Sequence, residues 1–334
     1  TKVIENPSLS LMQKRFGSRM NEQGDVYWDL FRRNNQNRSA GNTEGIWVIQ
    51  FETNVPGGGS STATLKLTGN YMLERHFVPM TRDVKLTVDG KKLSPFNWPI
   101  GDYTGGRGIG WGISTKYFSN KIWEDDFCGD IRNSNYNFVR KFPVNNSSFK
   151  AATGIDTIDV DNPPAGLIVG QGNSTEIPGR YLFAYQTKAT TPFNHPSELY
   201  QDASNLLLKS IAGTTYVDQY MFRLSETYLL RAEAYIGLGD KNKAAADINV
   251  VRARAHAKPV YASKVDIDYL LDERMRELGI EEKRRLTLMR MGKLYDRVMK
   301  CNPYYANPKT NGDGLGMQKT YELWPIPQSA IEAN

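Results

Sequence analysis

The sequence predicts a mainly α fold in which antiparallel helical hairpins carry long irregular loops with a few short strands. Three observations predict it. Apolar residues recur at helical spacing from residue 221 to residue 298. Residues 56–220 are dense in Gly, Pro, Asn and Ser, a stretch far longer than an ordinary connection. The 334 residues also include 6 Trp, 18 Tyr and 13 Phe, and Trp98, Tyr103 and Trp111 stand among those turn formers.

Residues 1–44 read as a helical lead-in. Within it, 8–16 suits a helix, and the block 27–33 suits a short amphipathic segment that buries Trp28 and Phe31. The polar run 34–42 ends it, because Asn and Gly favour turns. Residues 45–51 are β-rich and open a region, 45–220, that reads as loop-rich, aromatic-rich and ligand-binding. Short pieces of helix or strand are expected at 115–123 and 181–186. In 221–238 the apolar positions 221, 224, 228, 232 and 235 form one helical face. Gly239 ends that helix and Asp240 caps the next, 241–255, whose Ala244, Ile248, Val251 and Ala255 face the first. The pair is an αα-hairpin. A third helix starts at Asp266 or Asp268 and runs to Leu278, and a fourth spans 286–298, so that 221–300 forms the helical hairpins. Residues 301–334 read as an extended tail, since the residues before Pro325 and Pro327 are pushed out of the helical region. Trp28, Trp47 and Trp324 sit in apolar or capping contexts and are expected in the core.

A chain of this length with 40% hydrophobic residues can bury a core without disulfides or metals. Its formal charge of +6 comes from basic residues scattered among acidic ones, which argues against nucleic acid as a partner. Cys128 and Cys301 have no CxxC partner, and His76, His195 and His256 stand alone, so no metal site, cofactor or catalytic triad is legible. Gly105-Gly106-Arg107-Gly108 follows no convincing strand and is not read as a nucleotide loop. No apolar run approaches the roughly 18 residues that span a bilayer. The chain opens Thr1-Lys2-Val3-Ile4 without a signal-peptide pattern, and its start reads as a cut within a longer protein.

Residues 273–285 alternate in sign, through Glu273, Arg274, Arg276, Glu277, Glu281 and Lys283, as a solvated helix laced with exposed salt bridges does. Arg252 and Arg254 read either as a solvated face or as buried charge pairs near Glu233. Glu124, Asp125, Asp126 and Asp130 admit a glycosidase reading, which needs two carboxyl groups roughly 5–10 Å apart across a sugar. Turn formation and surface charge explain them equally well. The small Ala232, Ala234, Ala244 and Ala245 let the hairpin helices approach closely, with Tyr228 and Tyr235 in the groove.

Arg231-Ala232-Glu233-Ala234-Tyr235, Leu238-Gly239-Asp240, Ala244-Ala245 and the run 249–255 together resemble the C-terminal helical hairpin of the SusD/RagB family. Residues 272–278 with 281–292, and the closing Leu323-Trp324-Pro325-Ile326-Pro327, resemble two further signatures of that family in its order. Where many members carry Gly, Trp and Asp in the middle segment, this chain has Glu282, Arg285 and Thr287, as in a divergent branch. The resemblance covers 221–334; residues 1–220 match only in the order of strand, aromatic loops and hairpin. It implies tetratricopeptide-like hairpins, no catalysis, and glycan binding on the extracellular face of the cell outer membrane. It also implies a SusC-like TonB-dependent transporter as partner and an N-terminal lipid anchor absent from this chain. The rival reading is a tetratricopeptide-type scaffold that binds protein partners and no sugar.

Sugars present C–H-rich faces that stack on flat rings, while their hydroxyls need polar partners, and rigid aromatics supply contact area at low entropic cost. The expected ligand-binding residues are therefore Trp98, Tyr103 and Trp111, with Asn97, Asp102 and Arg107 beside them. The glycines and Pro99 of 96–111 are expected to hold those rings at the surface.

Overall fold

The structure is a computed structural model that describes residues 1–60, 71–97, 101–168, 179–309 and 316–333. It comprises two compact units, residues 1–281 and 282–334.

In the first unit the hairpin forms where the spacing puts it. Helices Leu224–Gly237 and Lys241–Arg254 are joined by a turn in which Gly239 takes φ +78° and the Asp240 carboxylate accepts from the Lys243 amide at 3.0 Å. Leu229, Ala232, Ala244, Ile248 and Val251 are fully buried, and the third helix, Ile267–Leu278, adds Leu270 to the same core. Asp266 is the residue that caps it, accepting from Tyr269 N. Residues 221–223 belong to a strand, Gln219–Arg223, although their spacing fits the helix, because they pair antiparallel with Gly45–Ile49. Irregular register in that pair turns Trp47 outward. It is 55% exposed and stacks on the outward-facing Phe222 at 6.0 Å, so it is not a core residue. Trp28 is buried in the short helix Val26–Leu30, with the Arg32 guanidinium 4.6 Å from its ring. Residues 8–16 form no helix, because their backbone amides serve other acceptors: Met12 N donates to Glu44 and Phe16 N to Asp29, both at 3.1 Å.

The region 45–220 has a core of its own. Val78, Phe142, Phe149, Ile158, Phe183 and Tyr185 are buried together under a three-stranded antiparallel sheet with Lys85–Val88 at its centre. Many of the aromatics that the turn-former density sets in loops are therefore structural. The piece at 115–123 becomes the helix Lys116–Ser119 followed by the 3-10 turn Lys121–Asp126, and 181–186 yields only the strand Tyr185–Gln186.

The charged third helix departs most from its sequence pattern. Glu273, Arg274, Arg276 and Glu277 are buried, not solvated. Glu277 accepts from Arg223 at 2.9 Å and from Arg132 at 3.1 Å, and it also pairs with Arg254. Arg223 and Arg254 both reach Glu44, and Arg223 meets Glu281 at 2.6 Å, where Lys188 also pairs. Glu273 takes Arg132, Arg252 and Arg276 at 2.7–2.8 Å, and Arg132 is further gripped by Asp130 at 2.6 Å. Arg252 and Arg254 thus do form buried pairs, with Glu273, Glu277 and Glu44. Burial alone would raise the Glu273 carboxyl, yet Arg132, Arg252 and Arg276 outweigh it and hold it down at about 2. Glu277 is likewise held well below the usual carboxylate range: burial opposes this, and Arg254, Arg223 and Arg132 prevail.

In the second unit the expected fourth helix is two, Arg284–Arg290 and Leu294–Cys301, interrupted at Gly292 with φ +62°. The tail contains a helix, Pro303–Ala306, a 3-10 turn, Lys319–Glu322, and a last helix, Gln328–Glu332. Trp324 is 62% exposed with the Arg285 guanidinium 4.6 Å over its ring, which corrects its expected place in the core. No buried cluster of the described residues includes it, and a cation covers its face instead.

Removing one partner from a buried charge cluster leaves the others uncompensated. Glu277→Gln is expected to lower the unfolding free energy by about 3–5 kcal/mol in urea titration, while Lys241→Gln at an exposed position changes it by less than about 0.5 kcal/mol. The carboxylates' contribution is fully present above their unfolded value of about 4.5 and is lost as pH falls through the depressed folded values. Stability followed by circular dichroism should therefore drop between about pH 4.5 and pH 2, with Glu273 alone supplying on the order of 3 kcal/mol of the change.

Candidate functional site

The segment 101–112 brings Asp102, Tyr103, Arg107 and Trp111 together on one loop, and it is tied down along its length. Asp102 starts the 3-10 turn Asp102–Thr104, with its amide donating to Leu206 O at 2.8 Å. The chain then reverses through Gly105 at φ +97° and Gly106 at φ +89°. A Cβ on Gly106 would lie 2.4 Å from Glu74 Oε1, so the backbone there lies directly on the helix Leu73–Phe77. Further on, the amides of Ile109 and Gly110 donate to Arg75 O at 3.0 and 3.1 Å, and Gly112 N donates to His76 O at 2.6 Å. The loop is irregular in form and held through its backbone.

Trp111 is 52% exposed, with its ring edge-on to His76 at 4.9 Å. His76 is itself fixed by a hydrogen bond from Nδ1 to Met72 O at 2.8 Å. Tyr103 is half-buried beside Phe193, whose ring lies 6.5 Å away and which is 56% exposed. The Tyr103 hydroxyl is buried with no hydrogen-bond partner among the described residues, and burial pushes the phenol up to about 12. Arg107 donates from its backbone to Glu74 Oε1 at 2.6 Å and from Nε to Ser210 O at 3.3 Å. Burial pulls its guanidinium down to about 10.

Asp102 is placed differently from a ligand contact. It is fully buried, paired with His195 Nδ1 and accepting from the Tyr200 hydroxyl, so it supports the loop from inside. Asn97 is exposed, but its amide and side chain donate to Asn145 at 2.8 and 3.3 Å. Trp98 lies outside the described residues. Phe193 is absent from the sequence-derived set, although Pro192 and Pro196 flank it in a turn context that favours an outward ring. Its own φ of +62° carries the ring out of the chain's regular path.

Three of the four acidic residues considered for glycoside hydrolysis have partners of their own. Asp130 is clasped by Arg132, Glu124 pairs with Lys121 at 2.7 Å, and Asp126 accepts from Lys258 N at 2.7 Å. Among the described residues no cluster of His, Cys, Asp and Glu could hold a metal ion, and no helix is long and apolar enough to cross a membrane.

The chain is 34% identical over 129 residues to the starch-binding protein SusD of Bacteroides thetaiotaomicron, an alignment covering 38% of this chain and 22% of that protein. It is 24% identical over 323 residues to the SusD-like protein P25 of Formosa agariphila, covering 92% of this chain and 49% of that one. The chain thus spans about half the length, or less, of these relatives. Among solved structures, surface glycan-binding protein A of Bacteroides thetaiotaomicron, in complex with laminarihexaose, superposes with TM-score 0.53 at 17% identity. That match covers 99% of this chain and 56% of that one. A laminarin-binding SusD-like protein gives TM-score 0.50 at 18% identity, over 92% of this chain and 51% of the other. These superpositions show that the helical hairpins and their loops share the SusD-like fold. The model of the SusD family matches residues 43–334, most of the sequence, and the chain belongs to that family.

Proposed function

We propose that this chain is the glycan-holding part of a non-catalytic protein that captures oligosaccharide on the extracellular face of the outer membrane and passes it to a SusC-like TonB-dependent transporter. The half-exposed indole of Trp111, on a loop whose backbone is fixed by Arg75 and His76, is the observation that carries this reading. A sugar ring stacks on the indole, the Tyr103–Phe193 pair offers a second aromatic surface, and Arg107 offers a donor to hydroxyls. Asn97 and Trp98 are proposed as further contacts on their sequence pattern alone, and Asp102 serves by holding the loop. Membership of the family, a starch-binding relative and a structural neighbour solved with laminarihexaose support the ligand class.

Calorimetry with laminarihexaose, maltoheptaose and a panel of plant and host glycans tests it. Trp111→Ala is expected to weaken the best of these about fivefold to tenfold, the worth of one stacked ring. Because the ring is half exposed, melting should stay within a few degrees of the parent. Incubation with the same glycans should release no new reducing ends. Unchanged affinity in Trp111→Ala and Tyr103→Ala, with the parent binding well, would remove this loop as the site.

A further inference from the structure

Beneath the candidate loop lies a buried ionic triad that its glycan reading does not use. His195 is 3% exposed, and its two ring nitrogens face two carboxylates: Nε2 lies 2.8 Å from Glu74 Oε2, and Nδ1 meets Asp102 Oδ1. Glu74 belongs to the helix Leu73–Phe77 and Asp102 to the loop, so the imidazole spans the seam between them. Both carboxylates are at most 1% exposed. Other donors complete each one. Glu74 accepts from the Arg107 amide at 2.6 Å, from Thr190 Oγ1 at 2.9 Å and from the Tyr216 hydroxyl at 3.4 Å, and Asp102 accepts from Tyr200.

We propose that His195 is the positioning residue of the glycan loop: by bridging Asp102 and Glu74 it sets where Tyr103, Arg107 and Trp111 stand. The proposal rests on the glycan reading of that loop. Two buried carboxylates on opposite sides of a seam repel one another and drive it open unless a cation lies between them. Close packing makes the loop answer to any shift of the ring, since a Cβ on Gly106 would lie 2.8 Å from His195 Nε2. Burial by itself would lower the imidazole, but Glu74 and Asp102 outweigh it and push it up to about 10. The groups facing it are Glu74 on the helix, Asp102 on the loop, and Tyr200 and Tyr216 from the chain packed behind, while Arg75, Arg107 and Tyr185 act on the two carboxylates. A raised folded value means the bridge's stabilising contribution is fully present below about 6.5 and is lost as pH rises through about 10, the ring itself staying protonated until then. It therefore acts as a fixed cationic clasp at neutral pH.

His195→Gln removes the charge and keeps polarity. Hydrogen exchange across 101–112 is expected to quicken about tenfold or more, with the helices at 241–278 unchanged, and the dissociation constant for laminarihexaose to rise about tenfold. Nitrogen NMR of the parent should show the His195 ring doubly protonated at pH 8. Should His195→Gln fail to fold, Tyr200→Phe, which removes one donor from Asp102, is expected to shift the same two readouts in the same direction. Unaltered loop exchange in the folded variants overturns the proposal, as does a loosened loop that binds laminarihexaose like the parent. If Trp111→Ala loses the glycan while the His195 and Tyr200 variants keep it, only the positioning role falls. If the parent binds no glycan of the panel, the glycan reading fails and the role of His195 in it fails too.

Discussion

Glu277 is the carboxylate on which the first unit depends. Its two oxygens meet arginines from three separate stretches: Arg132 from the loop-rich region, Arg223 from the end of a strand, and Arg254 from the end of the second hairpin helix. Taking these charges out of water is costly, and the cost is offset only when every partner is in place. The cluster thus fixes geometry more than it adds stability. An apolar core tolerates small slips of one helix along another, whereas a bidentate arginine does not. The hairpin, the lead-in through Glu44 and the region around Asp130 are held in one register by it.

The candidate loop uses the same principle on a smaller scale. An aromatic presented to a shallow ligand is useful only if it is already in place, because a weak contact cannot also supply the free energy of ordering. Here the ordering is done by backbone amides that find acceptors on the helix Leu73–Phe77, and by a buried carboxylate at each side of the seam. The exposed rings and the buried acids are parts of one arrangement.

The hairpin was legible because a 3.6-residue period survives without knowledge of tertiary contacts: Leu224, Tyr228 and Ala232 announce one face whatever packs on it. Strand residues 221–223 were misread by the same rule, since a partner some 170 residues earlier in the chain, Gly45–Ile49, decides their conformation. The third helix shows the deeper difficulty. Alternating Glu and Arg look identical whether water or a distant guanidinium satisfies them, and Arg132 and Glu44 are far from Glu277 in sequence. The exposure of Trp111 was legible from its turn context. Asp102 was not, because only His195 and Tyr200, about a hundred residues on, make it an internal residue.

The way Glu277 is neutralised also bears on how such chains can diverge. A third helix whose acids are matched by arginines from distant segments cannot be exchanged between relatives as a cassette, for a chimera would bring together unmatched charges in a dry interior. Loops such as 101–112, anchored through main-chain groups that every residue possesses, carry no such restriction on most of their side chains. Substitutions can therefore accumulate on the surface of the loop, where ligand contact is proposed, while the charged interior is inherited as a block.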